Sequence, residues 1–178
     1  NIWFYGRVDV TGKLDVRNPV LLETMQKAGF RWIALGIESA SEFVRDGQDK
    51  KYSNSDIINV VRTIQNSGMY VIGNFIFGLP DDTLETMQAT LNMACELKAE
   101  WVNMYSAMAY PGSKLHRDLR GTGILPEENG VGWIGYSQHT YETFPLPTAT
   151  LSNAEVLKFR DQAFLRYFID GAYVASVR

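Results

Sequence analysis

Aligned at the side-chain period of a strand, four apolar stretches of this chain each bring polar groups to one face. These are Tyr5, Arg7 and Asp9; Gly36 and Glu38; Asn74, Ile76 and Gly78; and Asn103 and Tyr105. Within each stretch the polar residues fall towards the carboxyl end. Burying an unpaired polar group costs about 1–3 kcal/mol, and a lone charge more. A guanidinium, two carboxylates and two amides on one face are therefore expected to serve a ligand, as the floor of a pocket. The competing structural reading is a self-satisfied network, Arg7 with Asp9 or Arg7 with Glu38. Asp9 and Glu38 are also a carboxylate pair of the kind an acid–base hydrolase would use.

Other chemistries find little support. The two histidines, His116 and His139, stand in the second half without metal-ligand spacing, and no metal site is expected. Neither G-x-S-x-G, a P-loop nor G-x-G-x-x-G occurs; Gly73 to Gly78 is glycine-flanked but lacks the Lys-Ser/Thr of a phosphate loop. The single cysteine, Cys95, reads as a small buried hydrophobe and excludes an internal disulfide framework, which fits a cytoplasmic protein. A net charge of -3, a pI near 5.4 and the lack of any Lys/Arg run argue against nucleic acid as a partner. No apolar run approaches the roughly 20 residues that span a bilayer, so no membrane partner is expected. No catalytic residue is singled out.

The elements that must hold the polar face organise around Met69 to Thr83, MYVIGNFIFGLPDDT. So apolar a run reads as a strand buried on both faces, as in a parallel sheet. Gly78 permits a sharp exit, Pro80 stops the strand, and Asp82 with Glu85 resembles a capping box for a helix over 82–98. Arg31 to Ser41 repeats the design, with Glu38 where the strand stops. Strands are further expected at 2–10 and 101–108. Helices follow Asn18-Pro19, Ser53-Asn54-Ser55 and Gly112, and Ser152-x-x-Glu155 opens a last one over 153–169. The order βα, βα, βα, βα gives an α/β fold of four parallel strands. With 178 residues, 46% of them hydrophobic, the chain suffices for one sizeable core. Residues 121–150, rich in Gly, Pro and aromatics, read as a cover over a site. The chain starts at Asn1 without methionine and enters a strand at once, which reads as a domain cut from a longer protein.

The ordered series Arg7-x-Asp9, Gly29-Phe30 leading to Gly36-Ile37-Glu38-Ser39-x-Ser41, Gly68 to Pro80, and Tyr110-Pro111-Gly112-Ser113-x-Leu115 resembles the later strands of a radical S-adenosylmethionine (radical SAM) enzyme, and most of all the class that often follows a cobalamin-binding domain. The likeness spans about residues 3–116. It implies the last four βα units of a partial, TIM-like (β/α)6 barrel over residues 1–120, with residues 121–178 as a C-terminal accessory region. It also implies S-adenosylmethionine as cofactor, a [4Fe-4S] cluster in the full-length protein, cobalamin as a further candidate, and radical modification or methylation of an unknown substrate.

The family's Cys-x-x-x-Cys-x-x-Cys loop and the glycine-rich stretch after it are missing, and Asp81-Asp82 replaces a usual Gly-Glu. One cysteine does not ligate such a cluster, so this chain alone is expected to be inactive. By resemblance Glu38 and Ser39 contact the ribose or methionine part of the cofactor, and Arg7 pairs with its carboxylate. Asn74, Ile76 and Gly78 pass the adenosine, while Tyr110 and its neighbours meet the adenine. Two other readings remain, a different β/α-barrel enzyme using Asp9 and Glu38, and a non-catalytic binding module. The open barrel edge is expected to promote self-association.

Overall fold

The structure is a computed structural model that describes residues 2–9, 15–46 and 52–176. Four strands, β1 (Ile2–Arg7), β2 (Phe30–Glu38), β3 (Tyr70–Phe77) and β4 (Trp101–Ser106), form one parallel sheet in the order β1-β2-β3-β4. The crossovers carry α1 (Pro19–Lys27), α2 (Glu42–Asp46), α3 (Asn54–Asn66) and α4 (Leu84–Leu97). After β4 come α5 (Lys114–Leu119), a 3-10 turn at Trp133–Tyr136, α6 (Asn153–Phe168) and α7 (Gly171–Ser176). This is the α/β architecture of a partial barrel. Val10, expected to end the first strand, lies outside the described residues.

Local chemistry accounts for most of the helix boundaries. Asn18 Oδ1 accepts from the Val20 and Leu21 N–H groups with Pro19 in the first turn, and α1 ends before Gly29 at φ 97°. Ser53 with Asp56 and Ser152 with Glu155 form complete capping boxes for α3 and α6. The start of α4 departs from expectation. Its cap is Thr83 with Thr86 as the reciprocal partner, one residue later than the expected pair. Asp82 is diverted to the strand exit, where its Oδ2 accepts from the Gly78 and Leu79 N–H groups at 3.0 and 3.1 Å. A short carboxylate beside a glycine turn serves the two unpaired N–H donors there before it serves a helix.

The helices cover one face of the sheet only. On that face Ile33, Leu35, Ile37, Val71, Phe75, Phe77 and Val102 are completely buried against Leu22, Ile57, Val61, Ile64, Met87 and Ala94. Ala163 and Tyr167 of α6 join the same core, and the Tyr167 hydroxyl donates to the Ala99 carbonyl at 2.6 Å. Among the described residues the opposite face carries no helix. There Tyr5 is 71% exposed, Trp3, Tyr70 and Trp101 are exposed, and Ile72 and Ile76 are half-buried. The expectation that the third strand is buried on both faces is thus corrected. Its apolar residues on the open side are met by side chains of neighbouring strands rather than by a second layer. Among the described residues no helix is long and apolar enough to cross a membrane.

Candidate functional site

Register assembles the open face into rows. Trp3, Trp32 and Tyr70 are paired in the lowest row, and Tyr5, Ala34, Ile72 and Trp101 in the next. Above them Arg7, Gly36, Asn74 and Asn103 form a level row across all four strands, and Ile76 pairs with Tyr105 above that. The face therefore changes from aromatic at the amino ends to polar at the carboxyl ends, where ligands of parallel sheets bind. The lower rows line a hollow of about 390 Å³.

The polar row is wired from side to side. Trp101 Nε1 donates to Asn103 Oδ1 at 3.1 Å, Asn103 Nδ2 to Asn74 Oδ1 at 2.9 Å, and Asn74 Nδ2 to the Leu35 carbonyl at 3.2 Å. At the β1 edge Arg7 Nε and Nη2 donate to the two carboxylate oxygens of Asp9 at 2.8 and 2.7 Å. The internal pairing foreseen for Arg7 with Asp9 is therefore present. It binds one member of the proposed carboxylate pair to a guanidinium.

Glu38 occupies the end of β2 at φ 67°, in the left-handed region that a side chain ordinarily avoids. The pairing register slips beside it, so that Glu38 rather than Ile37 stands opposite Phe75. The strained exit is held from behind. The Tyr52 hydroxyl donates to the Gly36 carbonyl at 2.9 Å and to that of Ile37 at 3.3 Å. Arg45, with no exposed surface, reaches the Ser39 carbonyl and Asn54 Oδ1 with Nη1 and the Tyr52 carbonyl with Nη2. Its guanidinium lies 5.0 Å from the centre of the Tyr52 ring. Desolvation raises the Tyr52 phenol well above its ordinary range, with the Glu38 charge adding to the shift. Tyr52 thus stays a donor to the strand end.

The other site residues separate. Ser39 is fully buried, its hydroxyl paired with Thr90 Oγ1 at 3.1 Å and accepting from the Ser41 N–H at 3.1 Å. It fixes the strand end from the helix side. Gly78 sits just past β3 at φ 79°, and a Cβ there would lie 2.4 Å from Val156 Cγ1 of α6. Ile76 and Tyr110 do come together. With Leu79, Tyr105, Ala107 and Met108 they line a hollow of about 330 Å³ at the carboxyl ends of β3 and β4. The Ser106 hydroxyl, which also borders it, is buried and has no protein partner among the described residues.

Sequence reasoning passed over Arg45, Tyr52, Thr90 and Gln138, and assigned Asp82 to the helix rather than to the strand exit. Gln138 has the most unexpected role: its side-chain amide accepts from the Ser106 N–H at 3.1 Å and donates to the Ser106 carbonyl at 2.8 Å. It imitates a fifth strand for one rung and also donates to the Tyr110 hydroxyl at 3.2 Å. The only available signal was its place in the segment read as a cover.

The Radical SAM superfamily model matches residues 10–94. An uncharacterized methyltransferase of Pyrococcus horikoshii is 30% identical over 127 residues, covering 71% of this chain and 27% of the relative. An anaerobic magnesium-protoporphyrin IX monomethyl ester cyclase of Cereibacter sphaeroides is 24% identical over 156 residues, 88% of this chain and 24% of the relative. The coproporphyrinogen III oxidase structure from Escherichia coli, a radical SAM enzyme, superposes with a TM-score of 0.63 at 14% identity, over 98% of this chain and 37% of that one. Over residues 10–94, just under half of its length, the chain is similar to the radical SAM superfamily, and its fold matches that of a radical SAM enzyme. It spans about a quarter of the length of the curated relatives it matches.

The residues of this chain do not fit an iron–sulfur cluster. Such clusters are held by several thiolates, and the one cysteine is half-buried on α4, its thiol pushed up by burial.

Proposed function

We propose that this chain forms the S-adenosylmethionine-binding wall of a larger radical SAM enzyme, which modifies or methylates its substrate with a cluster held by residues outside this chain. The observation that carries the reading is Glu38. A carboxylate held at positive φ by a buried brace, above a row of Arg7, Asn74 and Asn103, is an arrangement that packing alone does not require. The donor set fits the cofactor. Glu38 accepts from ribose hydroxyls or an ammonium group, Arg7 faces a carboxylate, and Ile76 with the Tyr110 ring offers an adenine two apolar surfaces. The unpartnered Ser106 hydroxyl supplies one more polar contact at that hollow. Ser39 and Gly78 act one step removed, holding the strand ends.

Methyl transfer is the reaction type favoured by the methyltransferase relative, and cobalamin is the carrier that the sequence resemblance admits. The direct test is Glu38→Ala in the full-length enzyme. We expect S-adenosylmethionine to bind at least about tenfold more weakly, close to 1.4 kcal/mol, and turnover to fall with it. Unchanged affinity and turnover would remove Glu38 from the site.

A further inference from the structure

A second cavity, of about 660 Å³, opens along the free side of β4, between that strand, the 138–143 segment and α6. Its volume lies in the range of small-molecule sites. One wall is apolar, built from Met104, Leu157 and Phe164, and Tyr105 closes the end nearest the cofactor hollow. Arg160 stands on α6 between Leu157 and Phe164, only 9% exposed. Its Nε donates to Asp161 Oδ1 at 2.7 Å and its Nη1 to the Gln138 carbonyl at 3.2 Å. Asp161 is largely in water and engages only Nε. Among the described residues no protein acceptor meets Nη2. In the same lining, the buried Thr143 hydroxyl also lacks a partner among the described residues.

A nearly buried guanidinium with a donor to spare, an orphaned hydroxyl and an apolar wall together define a ligand with two ends. We infer that this cavity takes the substrate, and that the substrate is an apolar or aromatic body carrying a carboxylate, which Arg160 and Thr143 bind. Guanidinium and carboxylate match in geometry as well as in charge. The assignment as substrate site rests on the proposed cofactor role of the neighbouring hollow; the binding chemistry does not. Tyr105 and Gln138 border both cavities, so a body anchored at Arg160 extends towards the adenosine end of the cofactor. Arg160 also grips the backbone of Gln138, whose side chain holds Tyr110, so that filling one cavity steadies a wall of the other.

The test is calorimetric titration of the chain with 4-phenylbutyrate and with its uncharged counterpart 4-phenylbutyramide, beside a titration with S-adenosylmethionine. The acid is expected to bind at least tenfold more tightly than the amide. Arg160→Gln should bring the two together while weakening S-adenosylmethionine binding far less than it weakens the acid, and Arg160→Lys should restore part of the preference. Amide-nitrogen spectra of the unmodified chain, which need no variant to fold, should shift on adding the acid at Met104, Thr143 and Leu165. Equal affinity for acid and amide, or shifts that fall elsewhere, would overturn the proposal. Loss of S-adenosylmethionine binding with the acid preference intact would instead overturn the cofactor reading and leave an acid-binding cavity.

Discussion

β2 and β3 lie side by side and leave the sheet by the same backbone move, a residue at positive φ, yet they use different residues for it. β3 uses Gly78 at 79°, where no side chain is tolerated because Val156 stands against it. β2 uses Glu38 at 67°. The two exits also differ in their supports. Behind Gly78 the support is a single carboxylate, Asp82, accepting two N–H groups. Behind Glu38 it is a web in which Tyr52, Arg45, Asn54 and Thr90 take up the backbone from Gly36 to Ala40. Where the turn is all that is needed, glycine makes it without strain. Where a side chain has to stand at the turn, a larger buried apparatus over-determines the conformation. The difference is the one that the proposed ligand role of Glu38 would require.

The contrast is broken most severely at Arg45. Arg45→Ala should remove the web that holds Glu38, leaving the Ser39 and Tyr52 carbonyls unpaired around a cavity, and cost about 3–5 kcal/mol; urea unfolding would show it. Next comes Gly78→Ala, which adds a strained φ to an encounter with Val156 and should cost about 2–4 kcal/mol. The double change with Val156→Ala should recover the packing part but not the backbone part. Making the exits alike with Glu38→Gly should stabilise the chain by roughly 1 kcal/mol through release of strain, while abolishing the contribution of Glu38 to cofactor binding. A destabilisation there would mean that the carboxylate serves the fold.

The smallest effect is a slope. Burial is the main influence on the Asp82 carboxyl and raises its pKa above the ordinary 3.8, outweighing the hydrogen bonds from Thr86, Leu79 and Gly78 that lower it. With the folded value above the unfolded one, the folded state binds the extra proton between them, and stability falls as pH rises through that window. Relative to Asp82→Asn, the unmodified chain should therefore lose stability from about pH 4 upward until the raised pKa is passed, as unfolding curves at successive pH values would record.

Much of the scaffold was legible because its signals are local. Asn18-Pro19, Ser53 and Ser152-x-x-Glu155 announce their helices, and the four βα repeats announce a parallel sheet. The alternation that placed Arg7, Gly36, Asn74 and Asn103 in one row needed only period 2 and register, whereas the slip at Glu38 left no mark in the sequence. What escaped depends on contacts across long stretches of chain. Thr90 reaches Ala40 from fifty residues away and Gln138 reaches Ser106 from thirty-two, and neither residue stands out by type or spacing. Arg45 looks like an ordinary charge in a short turn, and only the fold shows that it is buried. The pairing of Asp82 with the strand exit rather than with α4 likewise turned on two competing local partners. The short helix α7 and the 3-10 turn lacked a strong cap or period.

The single rung that Gln138 makes against Ser106 has a consequence for how such chains can associate. The Gln138 amide occupies the Ser106 N–H and carbonyl, the two groups that a strand added beside the carboxyl end of β4 would need. Any such strand would have to displace Gln138 first, and with it the contacts Gln138 makes to Tyr110 and Arg160. One amide in a loop thus acts as a removable plug on this part of the strand.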